Sequence, residues 1–345
     1  MPYRFLEILP GALSWGTLFL VVFLSWQKPV WIAIFIILFD IYWLLKTIYL
    51  SFHLRATYVE MKKNLGIGWL EKLKSDAGAA AAVFAPTWTD ITHLVIFPMY
   101  AEPYEVVRES FVKMREANYP KEKMFVVLSV EESGGVAARA TGERLRDEFG
   151  GVWGAFLLTN HPKGLPGELP GKGSNDTWAA RQAKELLLDP RGLRYDQMLV
   201  SVFDIDTQIF PEYFGRLTHA FLHTDVANRL RAVYQPVPLF INNIYEAPAL
   251  ARIVSFSSTF WQMMQQARPE RLTSFSSQSL PFQVFIDIGY WHTNVVSEDS
   301  RIFWQGYLAY HGDFRVVPLA YPVSMDSNVA PTFFGTLKNI YRQHR

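Results

Sequence analysis

Asp204 and Asp206 stand two residues apart after an apolar run, Met198 to Phe203 (Met-Leu-Val-Ser-Val-Phe). Such a run predicts a buried strand, and two carboxylates at this spacing beyond it project to the same side. Hard divalent cations that serve phosphate ligands take that arrangement: one or two carboxylates, with water and substrate completing the shell. The same short pattern also recurs in solvated loops, so the surrounding chain has to decide. Tyr100, Glu102, Glu131 and Glu132 likewise follow apolar runs, and Lys172 lies in a Gly-rich loop. Glu298 and Asp299 open a helical stretch, SRIFWQGYLAYH, where acids are also favoured simply by the helix dipole. His161, His219, His223 and His292 show no metal-ligand spacing with acidic partners and receive no role.

The elements that must position these groups alternate. HLVIFPMY reads as a strand, Glu105 to Asn118 as an amphipathic helix and MFVVLSV as a second strand. Thr141 to Phe149 follows as a helix, VWGAFLLT as a strand, 161–173 as a Gly/Pro-rich loop, Asn175 to Leu188 as a helix and MLVSVF as a strand. Strands alternating with helices predict an α/β fold with a mostly parallel sheet. Ligands of such sheets bind beyond the carboxyl ends of the strands, where the acids above are expected.

The chain has 345 residues, of which 50% are hydrophobic, 15% aromatic and 19% charged. Its formal net charge of +1 argues against nucleic acid as a partner. It has no cysteine, which excludes disulfides, thiolate nucleophiles and cysteine zinc sites. The apolar excess lies at the start, in spans at about 8–26 and 30–52 joined by Gln27-Lys28-Pro29. Each approaches the ~20 residues that cross a bilayer, so residues 1–55 read as a transmembrane hairpin. Arg4 precedes the first span, and Arg55, Lys62 and Lys63 follow the second, which by the positive-inside bias places everything downstream in the cytoplasm. The expected location is the cell membrane, multi-pass, with membrane lipids as partners. Residues 56–90 read as an amphipathic connector, where LGIGWLEKLK suits a helix lying in the membrane interface.

From residue 91 onward the chain resembles the family-2 glycosyltransferases, in particular the membrane-embedded group that includes cellulose and hyaluronan synthases. The resemblance is carried by FPMYAEPYEVVRESFVKMREANYP, VVLSVEESGG, LPGKGSNDTWAA, FDID, SFSSQS, DIGYW and VVSEDSRIFWQGY, in that order. It implies a GT-A domain over 91–345, with a donor half at about 91–215 and an acceptor half at about 216–345. In that family Tyr100 and Glu102 would hold the nucleotide base. Glu131 and Glu132 stand where the family has paired aspartates, and Lys172 would meet the diphosphate. Asp204 would contact the ribose or metal, and Asp206 would bind Mg²⁺ or Mn²⁺. Glu298 and Asp299 match the Thr-Glu-Asp signature with Ser297 replacing Thr, which makes Asp299 the general base. Ser277, Gln278, Trp291 and Gln343 would serve the acceptor end, and Trp291 and Trp304 lie close enough to those motifs to stack on a sugar.

The chemistry implied is transfer of a sugar from a nucleotide sugar, a UDP-hexose foremost, to a growing polysaccharide. Transfer of one sugar to a polyprenyl-phosphate lipid, or a non-catalytic nucleotide-sugar-binding subunit, are the alternatives. A divalent ion would stabilise the leaving diphosphate, Lys172 would add a point charge, and Asp299 would take the acceptor proton. One displacement with one base predicts inversion at the anomeric carbon. Because the family motif Gln-x-x-Arg-Trp would begin at Gln343 and run past Arg345, the sequence is expected to be a fragment of a longer protein, with a complete donor site and an open acceptor site.

Overall fold

The computed structural model describes residues 2–79, 86–295, 297–330 and 332–343. The chain divides into two compact units, residues 1–53 and 54–345. The first unit holds helix α1 (Pro2–Gln27) and most of α2 (Pro29–Leu65). Both helices are long and apolar enough to cross a membrane by length and composition, with a mean hydropathy of 1.9 in their most apolar windows. Phe19, Trp26, Trp31 and Phe39 stand exposed along them.

In the second unit, α3 (Trp69–Ala79) precedes strand β1 (Thr92–Met99) and helix α4 (Tyr104–Glu116). Next come β2 (Met124–Glu131), α5 (Gly135–Phe149), β3 (Ala155–His161), α6 (Lys172–Ala183) and β4 (Met198–Val202). The chain continues through β5 (Gln208–Ile209), α7 (Tyr213–His223), α8 (Val226–Arg229), β6 (Ala232–Phe240) and α9 (Ala249–Gln266). It finishes with β7 (Gln278–Pro281), α10 (Phe282–Ile288), α11 (Glu298–Ala309), β8 (Arg315–Met325) and α12 (Phe333–Gln343).

The eight strands form one sheet in the order β3-β2-β1-β4-β7-β6-β8-β5. Pairs β3–β2, β2–β1, β1–β4 and β6–β8 are parallel, while β7 and β5 run antiparallel to their neighbours. Six strands therefore share one direction, and their carboxyl ends share one edge. The fold is α/β with a mostly parallel sheet, as the alternation predicts. Side chains one residue apart face opposite layers. Val95 and Phe97 of β1 pack under α4, α5 and α7 with Phe111, Phe149 and Phe214, whereas Leu94 and Ile96 face α6 and α10 with Ala179, Ala183 and Phe285. Burial on both faces explains why MFVVLSV is continuously apolar rather than alternating.

The connector differs from its sequence expectation. Trp69, Leu70 and Leu73 of α3 are buried, and Trp69 and Leu70 belong to the same core as α7, so this apolar face is spent on protein. The close approach needs Gly215 on α7, where a Cβ would sit 2.9 Å from the Trp69 Cβ.

Candidate active site

The carboxyl edge of the sheet gathers the acids. Phe203 N donates to the Ile96 carbonyl, so Asp204 leaves the sheet beside the end of β1. The loop that follows is fixed from three sides. Ser110 of α4 donates to the Ile205 carbonyl at 2.8 Å, Asn242 to the Asp206 carbonyl at 3.1 Å, and Thr207 N to the Asp204 carbonyl at 2.9 Å. Helix α6 is moored to β2 by Asn175, whose amide donates to the Ser129 carbonyl at 2.9 Å and accepts from the Ser129 hydroxyl at 2.5 Å. Its first residue is Lys172, so the helix begins three residues before its sequence expectation and turns its N-terminal amides toward the edge.

Lys172 is the hub. Its Nζ lies 2.5 Å from Asp204 Oδ1 and 3.5 Å from Glu298 Oε1, with 24% of its side chain exposed. Burial alone would depress its pKa, but Asp204, Asp176, Glu298 and Asp299 outweigh burial and hold it well above the usual lysine value. Burial works to raise the Asp204 pKa, yet the charge and hydrogen bond of Lys172 and the Ser276 hydroxyl keep it below the ordinary range. Gly173 permits the contact between α6 and α11, because a Cβ there would meet the Glu298 Cβ at 2.9 Å.

Two cavities meet at this hub. The first, about 840 Å³, is lined by Tyr100, Glu102, Glu131, Lys172, Asp204 and Asp206 among others. The second, about 660 Å³, is lined by Ser276, Glu298 and Asp299 together with α9 residues such as Ser255 and Ser258. Lys172, Asp204, Asp206, Phe240 and Asp326 line both. Five carboxyl-bearing residues (Asp204, Asp206, Glu298, Asp299 and Asp326) line the second cavity together with Lys172. Such an excess of acid in a partly buried space calls for protons or a cation.

The Asp206 environment fits a divalent ion. Among the described residues its Oδ1 is buried without a hydrogen bond, while its Oδ2 accepts the Asp326 backbone N–H at 3.2 Å. Burial first, then Asp204 and Asp326, push its pKa up to about 7. An all-oxygen set of this kind is what Mg²⁺ or Mn²⁺ takes, with water filling the shell.

In the second cavity, Asp299 accepts the Ser300 N–H at 2.8 Å through Oδ1. Burial raises its pKa, with Lys172 opposing and Asp204 adding to the rise. Glu298 behaves alike, its pKa raised by burial against Lys172. The Asp299 carbonyl is gripped by Ser274 at 2.5 Å and by Gln278 at 3.2 Å, which fixes the start of α11.

Not every expected residue reaches the cavities. Glu131 lines the first cavity, but Glu132 instead accepts the Lys163 N–H at 2.8 Å. Ser277 and Gln278 are 1% and 2% exposed and lie beneath the site rather than in it. Ser277 adopts a left-handed φ of 61°, which brings its hydroxyl to 2.8 Å from that of Thr207. Trp291 is 2% exposed, packed against Phe285 with ring centroids 4.3 Å apart, and cannot serve as a sugar platform. Gln343 ends α12, and its side chain lies outside the described residues.

Two residues were missed. Asp326 closes β8 much as Asp204 follows β4, but Pro318 and Pro322 break the apolar run that would have flagged it. Asp176 stands one helical turn after Lys172, fully buried, and among the described residues neither of its carboxyl oxygens is hydrogen-bonded. Burial, only partly opposed by Lys172, raises its pKa well above the ordinary value, which favours the neutral acid.

No protein-family model and no curated protein matches the sequence. Among solved structures, the chain is similar to the mannosyltransferase PcManGT from Pyrobaculum calidifontis in complex with GDP-Man and Mn²⁺. That likeness covers 85% of this chain and 76% of that one, at 14% identity and a TM-score of 0.49. It is also similar to S. aureus TarS 1–349 in complex with UDP-GlcNAc, over 70% of this chain and 60% of that chain, at 14% identity and a TM-score of 0.44. Likeness at this level leaves the functional reading to the geometry of the cleft.

Proposed function

We propose that this protein is a membrane-bound, metal-dependent, inverting glycosyltransferase with a GT-A catalytic domain on the cytoplasmic side. It would move a hexose from a UDP-sugar to a growing polysaccharide. The observation that carries this reading is the pair of cavities sharing the wall of Lys172, Asp204, Asp206 and Asp326. Two substrates held on either side of one charged wall can react only across it.

In this reading the nucleotide lies in the first cavity, its base and ribose against Tyr100, Glu102 and Glu131. The diphosphate meets the N-terminus of α6 and the Lys172 ammonium. Asp206, with Asp204 and Asp326, would hold Mg²⁺ or Mn²⁺. Bound there, the ion supplies Lewis-acid stabilisation of the leaving diphosphate. The acceptor hydroxyl enters from the second cavity. Its oxygen forms the new bond to the anomeric carbon as the bond from that carbon to the diphosphate oxygen breaks, and the proton passes to Asp299. A base pKa raised by burial toward working pH suits that transfer. Glu298 keeps Lys172 on the shared wall.

The test supplies membranes containing the full chain with radiolabelled UDP- and GDP-sugars and Mn²⁺. High-molecular-weight labelled polymer supports the reading. Label that extracts entirely into organic solvent would replace the polysaccharide with a lipid acceptor, and donor binding without transfer would make the protein a binding subunit.

A further inference from the structure

On the side of the second unit where α3 packs against α7, three side chains converge that the proposed reaction does not use. Asp76 Oδ2 lies 3.7 Å from His219 Nε2 and 4.0 Å from His223 Nε2. We propose that Asp76, His219 and His223 form a Zn²⁺ site that clips α3 to α7.

Four observations point to a metal. The three potential ligand atoms all lie within 4.8 Å of one another. Tetrahedral zinc with bonds near 2 Å separates its ligand atoms by roughly 3.3 Å, so closing the site needs shifts on the order of 1 Å or less. Asp76 Oδ2 has the Lys72 ammonium 3.2 Å away, but among the described residues both ring nitrogens of His219 are buried without a hydrogen bond. Buried polar atoms are seldom left so, and each asks for a missing partner. His223 Nδ1 lies 2.9 Å from the His219 carbonyl, which fixes the proton on Nδ1 and leaves the Nε2 lone pair facing Asp76. A ring nitrogen donating to a carbonyl while the other turns toward a ligand site is the usual outer-shell arrangement of metal-bound histidine. Finally, His219 and His223 are four residues apart on one helix, so they share a face.

The neighbours allow it. The imidazole rings are stacked, with centroids 3.8 Å apart and planes 14° from parallel. They must splay to converge on one ion, and His223, with 53% of its side chain exposed, has room to turn. Lys72 competes for Asp76 at 3.2 Å, but it is 41% exposed and can swing into water at little cost. Arg216 is committed elsewhere, stacked over Trp69 at 4.7 Å and donating to the Leu319 carbonyl at 2.9 Å. Imidazoles with one carboxylate suit Zn²⁺ better than the oxygen-seeking Mg²⁺ or Mn²⁺ proposed for the cleft. The acid comes from an element far from α7 in sequence, which is why the histidine spacing alone showed no acidic partner.

The experiment strips the full-length chain of metal in detergent, then adds Zn²⁺ or Co²⁺ alone. Asp206→Asn serves as background so that the cleft contributes no metal. The expected result is one tightly held Zn²⁺ per chain and a visible Co²⁺ absorption of the four-coordinate type. His223→Ala should weaken Zn²⁺ binding at least tenfold, and His223→Cys should restore it. Zn²⁺ retention no higher than in a buffer control, or binding unchanged in both His223→Ala and Asp76→Asn, would overturn the proposal.

Discussion

Replacing Asp206 with Asn should stabilise the metal-free protein at high pH while abolishing its response to metal. The Asp206 carboxyl is pushed up to about 7, by burial and then by Asp204 and Asp326, whereas its ordinary value is 3.8. Between those two values the folded chain holds a proton that the unfolded chain has lost. Stability contributed by this group therefore falls as pH rises through that window and stays low above it. The difference converts to a ceiling of roughly 4 kcal/mol, and water in the open cleft reduces the working figure to about 2 kcal/mol. Asn is neutral throughout. In EDTA, the variant should match the parent near pH 4 and exceed it at pH 8 by about 2 kcal/mol, or roughly 4 °C in Tm. Asp176, Glu298 and Asp299 are raised in both proteins, whereas Asp326 repels Asp206 directly, so part of the gain is relief of that repulsion. Thermal unfolding of the full chain in detergent, followed by tryptophan fluorescence across pH 4 to 8 with EDTA or Mn²⁺, makes the measurement. A variant no more stable than the parent at pH 8 without metal, or one that gains as much from Mn²⁺, would refute the reasoning.

Asp299→Asn should lower transfer by roughly 10²- to 10⁴-fold and leave the nucleotide Kd nearly unchanged in calorimetry; equal loss of both would remove Asp299 as the base. In Gly173→Ala the new Cβ meets the Glu298 Cβ at 2.9 Å, so denaturant unfolding should show a loss of about 1–3 kcal/mol, with weaker nucleotide binding as Lys172 is displaced. Trp291→Phe should cost on the order of 1–2 kcal/mol of stability through the cavity it leaves while the acceptor KM stays put. A changed KM at unchanged stability would return Trp291 to the acceptor site.

Much of the edge was legible because its strands are buried on both faces and so read as unbroken apolar runs ending in acids. That signal located Tyr100, Glu131, Asp204 and Asp206. It failed at β6 and β8, where Pro236, Pro238, Pro318 and Pro322 interrupt the runs, and prolines ordinarily demote a central strand. Asp326 was lost with β8. The α3 stretch read as membrane-lying because an amphipathic face does not announce what covers it, and its partner α7 lies far along the chain. Trp291 illustrates the same gap for single residues, since a core aromatic and a sugar platform look alike in sequence. Ser277 and Gln278 were found by resemblance, but their burial gives them a different task, holding the backbone beneath Asp204 and at Asp299.

The central claim is that the wall shared by the two cavities separates donor from acceptor around a divalent ion. A crystal structure of the full chain with Mn²⁺ and UDP, using anomalous scattering to place the metal, tests it most directly. The account predicts an anomalous peak within about 2.0–2.5 Å of an Asp206 carboxylate oxygen, the diphosphate against Lys172 and the first turn of α6, and Asp299 facing the opposite cavity. A peak away from Asp206, or UDP bound outside the cleft lined by Tyr100, Lys172 and Asp204, would contradict it.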